Sequence, residues 1–182
     1  VSVLIKPASG RCNLRCKYCF YEDVSGLRSE QDLGLMTEET LEELVRQAME
    51  LADRRVSFAF QGGEPMLRGL AFYEKFMELE KKYQKPGVLA EHSIQTNGTL
   101  IDEAWAVFFR ENRFLVGISL DGTRSLHDMN RVDVKGKGTW AAVERALRLL
   151  EKKQVEYNIL CVITGAAARR GQAIYQSLTG LG

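Results

Sequence analysis

Gly10-Arg11-Cys12-Asn13-Leu14-Arg15-Cys16-Lys17-Tyr18-Cys19-Phe20-Tyr21 holds three of the chain's four cysteines, spaced C-x3-C-x2-C. Thiolates are soft ligands that suit zinc, copper(I) and iron–sulfur clusters, and a [4Fe–4S] cluster ordinarily takes four of them. Three cysteines this close together can reach three corners of a cubane and leave one iron open to another ligand. Zinc is the other metal reading, but structural zinc sites use four ligands in separated pairs. No fourth ligand stands nearby: Cys161 lies in a distant apolar run and reads as a buried strand residue, and His92 and His127 are isolated. A fully ligated cluster that only carries electrons also fits the cysteines. No signal-peptide pattern opens the chain, so clustered thiols point to a reducing cytoplasm rather than to disulfides.

The cysteine stretch follows directly on an apolar, β-branched run over 1–6, broken by Pro7, Ser9 and Gly10, and this is the first of several strands. A polar loop is expected over 21–34. Thr37 then caps a helix whose first turn carries Glu38 and Glu39, with Leu41, Leu44, Val45, Ala48 and Leu51 at helical spacing and Arg54 and Arg55 closing it. Further strands are predicted over 56–61, 89–95, 114–120 and 155–163. Helices are predicted over 70–83, 102–112, 139–153 and 166–178. Strand and helix alternate five times, the pattern of a parallel sheet with helices outside it. A doubly wound sheet and a barrel both satisfy it.

The unusual segments share one place in that alternation. The cysteines follow the first strand and Gly62-Gly63-Glu64-Pro65 the second. Thr96-Asn97-Gly98 follows the third, Ser119 and Asp121-Gly122 close the fourth, and Thr164-Gly165 follows the fifth. In a parallel sheet these points lie on one face, where α/β proteins place their sites. Glycines let a main chain approach a ligand closely, and Glu64 can hold its loop or add negative charge. Arg131 has the forked donors that match a carboxylate.

The 182 residues suit one domain. Charge is nearly balanced, 25 basic against 24 acidic residues, which points to neither nucleic acid nor a membrane surface. No apolar run approaches the roughly 20 residues of a transmembrane helix.

C-x3-C-x-aromatic-C, with Tyr18 as the aromatic, resembles the signature of radical S-adenosylmethionine enzymes. The resemblance implies a [4Fe–4S] cluster on Cys12, Cys16 and Cys19, whose open iron is chelated by S-adenosylmethionine and whose reduction cleaves that cofactor to a 5′-deoxyadenosyl radical. It also implies a partial (β/α)6 barrel, of which about five units are present, leaving an exposed edge. Gly62, Gly63, Glu64 and Pro65 are similar to the loop that receives the cofactor's amino group. Asn97, Ser119 and Arg131 are expected beside the cofactor, the last two at its ribose and carboxylate, with Tyr18 and Ile163 flanking adenine.

Longer runs are similar to anaerobic sulfatase-maturating enzymes: Leu4-Ile5-Lys6-Pro7-Ala8-Ser9, Phe58-Ala59-Phe60-Gln61-Gly62-Gly63-Glu64-Pro65, Gln95-Thr96-Asn97-Gly98-Thr99-Leu100, Val116-Gly117-Ile118-Ser119-Leu120-Asp121-Gly122 and Tyr157-Asn158-Ile159-Leu160-Cys161-Val162. That resemblance implies oxidation of a cysteine or serine in a target sulfatase to Cα-formylglycine, with a peptide or protein substrate facing Tyr21, Gln61 and Gln95 and a low-potential electron donor as partner. Peptide maturases that form thioethers share these runs. The chain is read as a radical core over 1–182, with the family's general base and auxiliary-cluster cysteines expected beyond it.

Overall fold

The computed structural model describes residues 1–21, 27, 29 and 32–181. The rest of the loop expected over 21–34, residues 22–26, 28, 30 and 31, lies outside the described residues, as does Gly182.

Five parallel strands, β1 (Ser2–Ile5), β2 (Arg55–Phe60), β3 (Leu89–Thr96), β4 (Phe114–Ser119) and β5 (Tyr157–Leu160), stand side by side in chain order. Between and after them run helices α1 (Glu38–Leu51), α2 (Leu70–Tyr83), α3 (Glu103–Glu111), α4 (Arg124–Asn130), α5 (Trp140–Lys152) and α6 (Gly171–Thr179). The order never reverses, so this is not the doubly wound arrangement. It is an open, unclosed sheet of five β/α units, with β1 and β5 as its two edges.

Side-chain alternation sorts the sheet into two faces. One row across the ladder runs Ile5, Phe60, Ile94, Val116 and Tyr157. It packs with Phe58, Phe114 and Ile118 against Leu41 and Val45 of α1, Phe72, Tyr73 and Phe76 of α2, Trp105 and Phe109 of α3, and Val143 and Leu150 of α5 in one core. The next row, Gln95, Gly117 and Asn158, is absent from that core and faces the opposite side. Parallel sheets are ordinarily covered on both faces. Here helices cover one, and the bare face is the inside of an incomplete barrel.

Local chemistry accounts for the helix ends. Thr37 Oγ1 accepts from the Thr40 N–H at 3.2 Å, and Glu38 and Glu39 sit in the first turn of α1. Asp102 caps α3 through the Trp105 N–H at 3.0 Å.

Four expectations need correction, the first being the last helix, which begins at Gly171 and not at 166. β5 ends at Leu160, not at 163, because β4 offers no partner past the Leu120 N–H to Leu160 O bond of 3.0 Å. Cys161 is therefore not a buried strand residue. It is half-buried and packs against a satellite cluster of Leu126, Ala167 and Ile174. The segment between β4 and α5 also holds more than a connection. α4 is followed by an antiparallel ribbon in which residues 130–133 pair with 14–17 on one side and 137–138 on the other.

Candidate functional site

The loop after β1 is a turn stitched down from both sides. Arg15 N–H donates to Val132 O at 2.8 Å and Lys17 N–H to Asn130 O at 3.0 Å, while Cys19 N–H closes a turn onto Cys16 O at 3.0 Å. All three cysteines are half-buried and free. Cys12 Sγ accepts from the Leu14 N–H at 3.4 Å and from Asn97 Nδ2 at 3.9 Å. Burial raises the Cys12 thiol above its ordinary range and pushes Cys16 up to about 11. The negative charges that would form on Cys12 and Cys19 raise Cys16 further, whereas the Arg131 guanidinium works against the rise. Thiols bind a metal as thiolates, so loading these cysteines would release their protons.

The loop after β2 presses against the cysteine loop. At Gly63, φ is +55°, and a Cβ there would lie 2.2 Å from Arg11 O. The next residue's N–H donates to that same oxygen at 2.8 Å. Glu64 is fully buried. Its Oε1 accepts from the Met66 N–H at 3.1 Å and the Thr96 hydroxyl at 2.8 Å, and its Oε2 from the Asn97 N–H at 2.8 Å. Glu64 thus holds two loops together, one of the two roles its sequence position suggested. Burial outweighs these donors and raises its carboxyl to about 7.

Asn97 carries the connection onward. Its Nδ2 donates to Asn13 Oδ1 at 2.9 Å, and its Oδ1 accepts from the Thr99 N–H and hydroxyl at 3.0 and 2.7 Å. Asn13 Nδ2 returns to Thr99 Oγ1 at 2.9 Å. The loops after β1, β2 and β3 are therefore one hydrogen-bonded body around Cys12. Asn13 belongs to it, yet nothing in the motif singles that residue out.

Asp121, just past β4, is the second hub. Its Oδ1 accepts from Arg131 Nη2 at 3.2 Å and from the Val162 N–H at 3.0 Å, and its Oδ2 accepts from the Tyr18 hydroxyl. The Arg131 guanidinium also lies over the Tyr18 ring, 5.4 Å from its centroid. Arg131 is thus a buried residue and not a solvated one. Its Nε stands 3.1 Å from Asp121 Oδ2 but out of line, so that N–H has no acceptor. Behind the pair, the Thr139 hydroxyl donates to Arg131 O at 2.9 Å and so accepts from His127 Nε2–H at 3.0 Å. His127 Nδ1 is left to accept the Asp121 N–H at 3.3 Å. His127 is a fixed neutral strut, its pKa pushed down to about 4 first by burial and then by Arg131. The place of Asp121 just past a strand was legible in sequence, but the isolated His127 gives no pattern, and only the fold brings the two together.

On the bare face, Gln61, Gln95, Gly117, Asn158 and Leu160 line a cavity of about 200 Å³. Gln95 Nε2 donates to Ser119 Oγ at 3.1 Å, which links a residue expected at the substrate to one expected at the cofactor. Gly117 makes room for this: a Cβ there would stand 2.1 Å from Gln95 Oε1. Tyr21 lines a separate cavity of about 330 Å³, with Lys6 Nζ 4.9 Å above its ring. Ile163 lies beyond β5, on the loop whose Val162 N–H reaches Asp121, and is 56% exposed.

Among the described residues, no three His, Cys, Asp or Glu side chains converge on the position of a single ion. A cubane asks for something else, since each cysteine goes to a different iron. Three half-buried thiols on one turn, coupled through charge, with packed glycine loops beside them, fit that donor set.

A cysteine-type anaerobic sulfatase-maturating enzyme of Clostridium perfringens is 51% identical over 97% of this chain and 48% of its own length. A serine-type enzyme of Klebsiella aerogenes is 40% identical over 99% of the chain and 44% of its own. The solved structure of native anSMEcpe with bound AdoMet and Cp18Cys peptide superposes with a TM-score of 0.91 at 48% identity, over 98% of this chain and 47% of that one. The chain spans about half the length of these relatives. The sequence model of the Radical SAM superfamily matches residues 7–167. With its cysteine turn, glycine loop and open sheet, the chain belongs to the radical SAM superfamily, whose cofactors are a [4Fe–4S] cluster and S-adenosylmethionine.

Proposed function

We propose that the chain is the radical core of an anaerobic sulfatase-maturating enzyme, oxidising a cysteine or serine side chain of a sulfatase segment to Cα-formylglycine. Its likeness to maturases of both types over almost all of its length carries this reading. When bound and reduced, the cluster and S-adenosylmethionine supply the radical that takes a hydrogen atom from the substrate Cβ.

The chain's own residues bind and orient. Cys12, Cys16 and Cys19 would each hold one iron. The Gly62 and Gly63 carbonyls would accept from the cofactor's ammonium, with Glu64 and Pro65 fixing their loop and Asn97 securing it to the cysteines. Ser119 would meet the ribose, and the unaccepted Nε–H of Arg131 would turn to the carboxylate. Tyr18 and Ile163 would flank the adenine. Gln61 and Gln95 on the bare face, and Tyr21 from its separate cavity, would position an extended peptide. The Gln95–Ser119 bond would then tie substrate placement to cofactor placement.

The test uses the full-length protein, cluster-loaded, with a low-potential reductant, S-adenosylmethionine and sulfatase peptides carrying cysteine or serine. The expected result is 5′-deoxyadenosine together with a hydrazide-reactive aldehyde on the peptide. A thioether product, or 5′-deoxyadenosine without any aldehyde, would overturn the assignment.

A further inference from the structure

One row of side chains crosses the bare face in register. Gln95 pairs with Gly117 and Gly117 with Asn158 across β3, β4 and β5. Gln61, one residue past the Phe60–Ile94 pair, continues the row onto β2. Neighbouring strands lie about 4.8 Å apart, so the three carboxamides span about 14 Å, the length of about four extended residues. No charged residue lines this cavity, so its floor cannot select a ligand by charge. A carboxamide offers both a donor and an acceptor, which suits it to a peptide main chain.

The row opens at Gly117. Gln95 Nε2 is committed to Ser119 Oγ at 3.1 Å, which leaves Oε1 turned toward the glycine. A Cβ built on Gly117 would stand 2.1 Å from that oxygen and 3.2 Å from Asn158 Oδ1. Two carbonyl oxygens, brought in from the strands on either side, therefore converge on the space the glycine leaves open. Both accept, so they cannot satisfy each other, and among the described residues neither has a donor. Asn158 is also exposed. Every residue but proline brings one suitable donor, its main-chain N–H. Ser119 lies two residues beyond Gly117 on the same strand and face, about 7 Å along it. An N–H held over Gly117 has the Cβ of its own residue two bonds away, close to the side where the cofactor is expected.

We infer that Asn158 is a further substrate-binding residue: together with Gln95 it accepts, over Gly117, the main-chain N–H of the residue to be oxidised. The inference rests on the maturase reading and deepens it. It places a demand on the substrate that is independent of side-chain identity. The target residue must carry an N–H, so a peptide N-methylated there loses the shared hydrogen bond and meets the two oxygens with a methyl group instead. A hydrogen bond shared between two acceptors is ordinary main-chain chemistry, and a polar group left facing two unpaired acceptors costs more than the bond itself gains.

The experiment is anaerobic isothermal titration of the full-length, cluster-loaded protein holding S-adenosylmethionine, left oxidised so that no turnover occurs. The titrants are a sulfatase peptide carrying cysteine and the same peptide N-methylated at that cysteine. With the parent, methylation is expected to raise Kd about tenfold or more. Asn158→Leu keeps the shape and loses the acceptor. It is expected to raise the Kd of the plain peptide about tenfold and to shrink the methylation penalty about threefold or more. Asn158→Asp keeps an acceptor and loses the donor, and is expected to hold the plain peptide within about threefold of the parent. S-adenosylmethionine affinity and cluster content are expected to match the parent's in both variants. Plain-peptide binding by Asn158→Leu equal to the parent's would overturn the inference. So would a methylation penalty that the leucine leaves unchanged, a loss in Asn158→Asp as large as in Asn158→Leu, or a leucine variant that loses the cofactor as well. Aldehyde formation by the reduced parent reports on the maturase reading separately. Where the aldehyde forms, these failures fall on Asn158 alone, whereas a parent that binds no peptide overturns both.

Discussion

Replacing Gly63 by alanine tests the contact on which the site's assembly depends. Three costs add up. A residue with φ at +55° is left-handed backbone, about 1 kcal/mol for a side chain other than glycine. The new Cβ would stand 2.2 Å from Arg11 O, where ordinary contact begins at 3.4 Å, so the cysteine loop must retreat by about 3.4 − 2.2 = 1.2 Å. Such overpacking costs about 1–3 kcal/mol. The same retreat stretches the Glu64 N–H to Arg11 O bond from 2.8 Å toward about 4 Å, beyond hydrogen-bonding range, for about 1 kcal/mol more. The total is about 3–5 kcal/mol. Gly136 is the control: its φ is +77° and no atom lies within 4 Å of its would-be Cβ, so alanine there meets the backbone cost alone. Urea unfolding of both variants under anaerobic reducing conditions reads the difference. Iron and sulfide content after reconstitution reads its consequence, because Arg11 adjoins Cys12. Equal midpoints for the two variants, with full cluster in both, would refute the reasoning.

Asp121→Asn leaves the buried Arg131 charge uncompensated and is expected to cost about 3–5 kcal/mol, whereas Tyr18→Phe loses one hydroxyl bond and about 1 kcal/mol; chemical denaturation ranks the two. His127 and Glu64 should give opposite slopes of stability against pH. His127 has its folded pKa depressed from 6.5 to about 4, so the unfolded chain binds the proton first and stability falls as pH drops through that window, by ~3 kcal/mol in all. Glu64 has its folded pKa raised from 4.5 to about 7, so the folded chain binds the proton first and stability falls as pH rises through that window, again by ~3 kcal/mol. Thermal unfolding of His127→Gln and Glu64→Gln across pH 4–7 should remove one slope each, and loss of neither would contradict the burial argument. On the peptide reading, Gly117→Ala displaces Gln95 from Ser119 and should raise the peptide KM with little change in S-adenosylmethionine binding; isothermal titration with each ligand separates the two.

The alternation of strand and helix, and the placement of each motif just past a strand, could be read from residue pattern alone, because a buried parallel strand and an amphipathic helix each leave a periodic signature. Thr37 announced its helix by chemistry that acts within one turn. What escaped reading is non-local or aperiodic. The ribbon over 130–138 has no alternation, since its partner is the cysteine turn more than a hundred residues away, and the short α4 lacks a side-chain cap. Asp121 could be placed at the site face by its position after a strand, but its partners Tyr18 and Arg131, and the role of His127, could not be read before the fold brought them together. Arg131 could be read as surface or site with equal reason; its burial follows from its place opposite Cys16 in a ribbon that sequence pattern did not reveal. Cys161 failed as a strand residue because strand length is set by the neighbouring strand and not by its own apolar run.

The most direct test of the central assignment is electron paramagnetic resonance of the anaerobically reconstituted, reduced protein, with and without S-adenosylmethionine. Cys12, Cys16 and Cys19 holding three irons predict a [4Fe–4S]+ signal that changes when the cofactor is added, because the fourth iron takes it as a ligand. A cluster signal that ignores the cofactor, or protein that binds zinc in place of a cluster, would contradict the account.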